Sequence, residues 1–170
     1  MNALASITMG LALAVTPIAN PLPSTTRTSD EARLGNLADT IATRGDLTIF
    51  TKTIEASGLE NMLTKEGPFT ILAPTDEAFH MLPEGMLEDL LQPENRASLA
   101  EIMRYHIIPG RMPASRITTG ETTTLQGSKI AFNADGGTIW VGPAEVMKPD
   151  INATNGVIHT INMLMEPDEQ

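Results

Sequence analysis

The chain contains no cysteine. That excludes disulfides, thiolate metal sites, a cysteine nucleophile and any lipid anchor on cysteine, and leaves core packing to hold the fold. Aromatic residues make up 4% of the chain, with Trp140 and Tyr105 as the only Trp and Tyr, which argues against an aromatic platform for sugars. Basic residues are also scarce. Eleven Lys and Arg face 21 Asp and Glu, for a net charge of −10. Nucleic acid and anionic membrane surfaces both demand a basic footprint, so neither is an expected partner.

Catalytic and metal signatures are missing as well. There is no His-x-His, His-Glu-x-x-His or Asp-x-Asp-x-Asp-Gly spacing, so no metal or other cofactor is expected. Gln126-Gly127-Ser128-Lys129 lacks the second glycine of a nucleophile elbow. Asp135-Gly136-Gly137 lacks the Lys-Ser/Thr ending of a phosphate loop and reads as a turn. Asp76 and Glu77 are adjacent on a helix, so their side chains diverge and do not share a substrate. No enzyme activity is expected.

What is present begins with an apolar, uncharged run from Ala3 to Val15, too short to span a bilayer comfortably. Pro17, Pro21, Pro23 and a polar stretch follow, and Ala12-Leu13-Ala14 offers small residues for cleavage. Residues 1–30 therefore read as a signal-peptide-like segment with a disordered spacer, although no Lys or Arg precedes the apolar run. An N-terminal helix packed on the domain is the competing reading. Residues 31–170 read as a single domain, and no internal repeat occurs.

Apolar spacing predicts helices first. One covers Asn36–Ala42; a second starts after Asp46, expected as its N-cap, and ends at Gly58. Phe69–Ala73, bounded by Gly67-Pro68 and Pro74, reads as a strand, and Thr75 or Asp76 caps the helix that follows to Met81. Two more helices follow, one starting near Glu84 and one after Pro93. The seven acids of this helical stretch, Asp76 through Glu101, read as a solvated face. Strands come second: Tyr105–Ile108, Glu121–Leu125, Lys129–Asn133, Thr138–Val141, Glu145–Lys148 and Val157–Met165. Helices then strands make an α+β pattern.

Three segments carry a family resemblance: Gly67–Phe79, Tyr105–Gly110 and Asn155–Met165. In this order they resemble the two signature blocks and the Tyr-His motif of the fasciclin domain family, an adhesion and extracellular-matrix module. The resemblance runs from about Asn36 to Pro167. It implies a compact β-sandwich or wedge with several short helices packed along one side. It also implies an extracytoplasmic binding module, secreted, periplasmic or at the cell surface. The implied partner is a cell-surface or matrix protein or polymer, a second copy of the chain included, with no stable membrane insertion. A carrier of a small apolar ligand in a cleft between helices and sheet is the alternative, and a small hydrolase without a recognisable motif is a weaker third.

The resemblance also points to residues. Matrix relatives carry a Glu-Pro-Asp-Ile-Met sequence implicated in integrin-mediated adhesion where this chain has Lys148-Pro149-Asp150-Ile151-Asn152. Pro149, Asp150 and Ile151 match; Lys148 reverses the charge and Asn152 also differs. Tyr105 and His106 match the Tyr-His motif implicated alongside it. Recognition is therefore expected at Asp150, Ile151, Tyr105 and His106. An exposed Asp150 carboxylate could complete a partner's metal coordination; alternatively it bonds turn amides, and Ile151 belongs to the core. Thr75, Asp76, His159, Asn155 and Gly156 are expected to be structural. Buried imidazoles need partners, so His106 or His159 is expected to bond a polar group of Thr75-Asp76. Asn152-Ala153-Thr154 forms a glycosylation sequon, relevant only in eukaryotic secretion, and Met163 and Met165 are expected to fill the core.

Overall fold

The computed structural model describes residues 34–167. The expected export segment, residues 1–30, lies outside them. Six helices appear in the described region: α1 (Leu37–Ala42), α2 (Thr48–Ser57), α3 (Glu60–Lys65), α4 (Asp76–His80), α5 (Met86–Leu90) and α6 (Arg96–Tyr105). Seven strands accompany them: β1 (Phe69–Pro74), β2 (Ile107–Pro109), β3 (Gly120–Thr123), β4 (Lys129–Asp135), β5 (Thr138–Val141), β6 (Ala144–Ala153) and β7 (Gly156–Ile161).

The strands form one sheet in the order β2-β1-β7-β6-β5-β4-β3. Only the β1–β7 pair is parallel. Both of its strands are buried along their whole length, as a strand covered on two faces must be. After β3, the Leu125 N–H donates to the Ile107 carbonyl at 2.7 Å, which brings the two edges of the sheet together. The sheet therefore nearly closes on itself, which limits the exposure of unpaired edge groups.

Two apolar clusters fill the interior. One joins the helices to β1 and β7 around Leu37, Phe50, Leu63, Phe79, Leu99 and Ile158. The other lies within the curved sheet around Leu72, Ile130, Phe132, Val141 and Ile161. Alternate residues of β1 and β7 belong to different clusters: Ile71 and Ile158 face the helices, Leu72 and Ile161 the sheet interior. The period-two geometry of a strand divides one apolar run between two cores.

Several expectations need correction. Asp46 does not cap α2; Leu47 occupies the N-cap position with no side-chain bond. The Asp46 carboxylate instead pairs with Arg44 at 2.8 Å and Lys148 at 3.2 Å, and the Arg44 bonds foremost hold its pKa down at about 2. The capping work is done from another element. Asp76 accepts the Ile49 N–H at 2.8 Å and the Thr48 hydroxyl at 2.6 Å. Tyr105 ends α6 rather than opening a strand. The segment after Pro93 begins as a 3-10 turn, Pro93–Asn95. Strand β7 stops at Ile161, because Asn162 bonds Glu145 through both its main-chain N–H and its side-chain oxygen. Strand β6 runs well past Lys148 to Ala153, with register shifts on either side of Lys148. Pro149, with no N–H to donate, is accommodated at such an irregularity. Gly58, with φ of 77°, ends α2 as expected.

Candidate functional site

The Asp150 site grows from that irregularity. Asp150 sits at φ of 58°, the only described non-glycine residue at positive φ. Aspartate tolerates this left-handed geometry better than most side chains do. Three hydrogen bonds fix it. Its N–H donates to His159 Nδ1 at 3.2 Å, its Oδ1 accepts the Ala114 N–H at 2.7 Å, and its carbonyl accepts Asn152 Nδ2 at 3.1 Å. Beside it, Arg111 donates to Asn152 Oδ1 at 2.7 Å. Asp150, Asn152 and Arg111 are exposed. Ile151 is half-buried, packs on the helical cluster and pairs with Ile158.

His159 supports this surface from below. Its Nδ1 accepts from Asp150, so its Nε2 carries the proton and donates to the Met112 carbonyl at 2.8 Å. Burial pulls its pKa down, against the opposing effects of the Met112 carbonyl and the Asp150 charge. One neutral imidazole thus joins β7, the β6 irregularity and the 110–116 loop. A 3-10 turn, Ala114–Arg116, follows Met112, and Asp150 holds its first residue.

His106 is fully buried and makes no contact of this kind. Its Nδ1 donates to the Ile102 carbonyl at 2.8 Å, and its Nε2 accepts the Met165 N–H at 3.2 Å. Burial lowers its pKa to about 4, partly offset by the Ile102 carbonyl. His106, expected among the recognition residues, lies fully buried and secures the segment after β7 to α6. Neither His106 nor His159 bonds Thr75-Asp76, as had been expected. Main-chain groups from nearer segments satisfy both rings. Tyr105 is half-buried, edge-on to His106.

The remaining motif residues tie elements together. Thr75 caps α4 through its hydroxyl, which accepts the Ala78 N–H at 3.4 Å. Asn155 accepts the Leu37 N–H at 2.8 Å and donates to the Leu63 and Glu66 carbonyls, each at 2.7 Å. It thereby joins β7 to α1 and α3. Gly156 lies against the Phe69 carbonyl and the Leu37 methyls, leaving no room for a side chain. The sequence offered no periodic signal for Arg111, which acts through its side chain, or for Met112 and Ala114, which act through the main chain. Met163 is exposed rather than core-filling, while Met165 is buried.

Among the described residues no group of three or more His, Asp or Glu is placed to hold a metal ion. No described helix is long and apolar enough to cross a membrane.

A family model of the fasciclin domain matches residues 45–167. Protein sll1483 of Synechocystis is 41% identical over 114 residues, covering 67% of this chain and 63% of the relative. A second Synechocystis protein, the uncharacterized sll1735, is 39% identical over 110 residues, covering 64% of this chain and 80% of the relative. Human periostin is 36% identical over 135 residues, covering 78% of this chain but 16% of periostin. The chain thus spans under two thirds of sll1483 and a small part of periostin. Among solved structures, a FAS1 domain pair from the insect cell adhesion molecule fasciclin I matches with a TM-score of 0.70. It is 15% identical and covers 79% of this chain and 51% of that one, a likeness of fold. The α+β architecture, the order of the motifs and the matched span agree: this chain belongs to the fasciclin domain family.

Proposed function

We propose that the chain is an extracytoplasmic, non-catalytic binding module that acts in adhesion to a cell-surface or matrix protein or polymer. The observation that carries this reading is Asp150. It is an exposed carboxylate held in a left-handed conformation by bonds to His159 and Ala114. Such a preorganised acceptor loses little conformational freedom when a partner engages it. Arg111 and Asn152 stand beside it as further polar contacts, and half-buried Ile151 adds an apolar edge. An exposed carboxylate beside an exposed guanidinium suits a partner with a bound cation or with paired charges.

The family supports the adhesive part of the reading, since one structural relative is itself a cell adhesion molecule. The net charge of −10 disfavours nucleic acid and anionic lipid as partners. Secretion, the periplasm or the cell surface is the compartment that suits this role. Beads coated with the full chain test the reading. Clumping among the beads supports homotypic contact, and bead attachment to cells of the producing organism supports a surface partner. Beads that do neither, at neutral pH with divalent cations present, refute adhesion.

A further inference from the structure

A second region of the surface is built differently from the Asp150 site and does not include that residue. A cleft of about 740 Å³ lies where the helices meet the sheet, within the size range of small-molecule sites. The α4–α5 connection contributes Met81 and Leu82, the start of α5 contributes Met86, and the segment after β7 contributes Met163 and Met165. Ile130 of β4 adds to the apolar lining. Leu82 packs on the helical cluster, while Ile130 and Met165 belong to the sheet cluster, so the cleft marks the seam between the two cores.

Methionine is concentrated here. Four of the eight methionines among the described residues line this one cleft. Among the described residues the exposed large apolar side chains are Met81 at 72%, Met147 at 55%, Trp140 at 40% and Met163 at 38%. Met81 and Met163 line the cleft, and Met147 lines a neighbouring one that shares Met81. Apolar exposure gathered in one place marks a binding surface more often than scattered exposure does. Unbranched, polarizable thioether chains adapt to varied apolar shapes, which suits the exposed rim of an apolar cleft.

Charge narrows the ligand class. The charged residues lining the cleft are Lys129 and Glu166, one of each sign, and Lys129 already pairs with Glu121 at 3.3 Å. No unbalanced cation is present for an anionic head group, and the chain's net charge of −10 repels one. The lining is also held in place before any ligand arrives. Met165 is bonded to His106, and Tyr105, the neighbour of that histidine, lines the cleft itself. The Tyr-His pair therefore builds this cleft as well as the core.

We propose that the cleft is a binding site for an uncharged, apolar small molecule. Nile red, an uncharged apolar fluorophore, tests this on the full chain by titration at several protein concentrations. The expected result is saturable, one-to-one binding with blue-shifted emission. The double variant Met81→Gln/Met163→Gln changes exposed side chains and should weaken binding at least tenfold with unchanged melting. Asp150→Asn should bind as wild type, which separates this site from the adhesive one. Five results would overturn the proposal. They are no saturable binding, binding untouched by the double variant, binding only where the chain self-associates, tighter binding of dodecanoate than of the uncharged dye, and the same loss in Asp150→Asn.

Discussion

Replacing Asp150 with alanine is expected to destabilise the domain by about 2 kcal/mol, whereas Asp150→Asn should change stability by no more than about 0.5 kcal/mol. Two effects set the first figure. The carboxylate accepts the Ala114 N–H at 2.7 Å, and losing a charge-assisted bond at an exposed site costs about 1 kcal/mol. The backbone sits at φ of 58°, where alanine costs about 1 kcal/mol more than a residue that tolerates the left-handed region. Asparagine retains an acceptor oxygen and that tolerance. Asp150→Gly separates the two effects, because it loses the bond but not the conformational fit, and should fall between. For a domain of this size about 2 kcal/mol corresponds to a melting shift of roughly 4–8 °C. Denaturant unfolding and calorimetry on the full chain read the series. Equal stability for the alanine and wild-type chains would refute the structural account of Asp150. A large loss in the asparagine variant would show that charge, and not geometry, holds the site.

Other outcomes follow from the same contacts. Acidification should destabilise through His106, whose pKa is about 4 in the fold against an ordinary 6.5. The unfolded chain takes up the proton first, so this stability is complete above 6.5 and is lost as pH falls to about 4, a total of about 3 kcal/mol. His159 acts in the same direction, while the stability from Asp46 is complete above 3.8 and is lost only as pH falls from there to about 2. Denaturant unfolding at pH 7 and pH 4 checks this, and an unchanged slope in His106→Gln would refute the assignment. Asp76→Ala should cost about 1–2 kcal/mol by leaving the first turn of α2 uncapped, and Asp46→Ala should cost less. Equal losses on thermal melting would show that Asp46 supports α2 after all. Gly156→Ala should cost about 3 kcal/mol, because its methyl meets the Phe69 carbonyl and Leu37; near-normal melting would contradict that packing.

The sequence revealed what depends on local chemistry. Phe69–Ala73 with its flanking prolines, Thr75 before two acids and Gly58 after an apolar helix are each decided within a few residues. What it concealed was decided by distant segments. Asp76 caps a helix that precedes it by about thirty residues, a contact with no spacing signal. The histidines are satisfied by the Ile102 and Met112 carbonyls, and a main-chain partner leaves no mark on composition. Strand β6 continues through Pro149 because the β7 ladder resumes at Ile151, a register that proline alone argues against. The methionines illustrate the same limit. Met163 and Met165 share one strand-like period, yet the chain leaves β7 before them and sends one outward and one into the core. The Lys148–Asn152 segment was visible by resemblance, whereas the loop residues that hold its aspartate were not.

Cell attachment to surfaces coated with wild-type chain or with Asp150→Asn, at matched density and after matched melting has been confirmed, tests the adhesive reading most directly. Attachment to the wild-type surface, lost with asparagine at position 150, is the predicted result. Equal attachment on both surfaces would contradict recognition through the Asp150 carboxylate. No attachment to either would contradict the adhesive function itself.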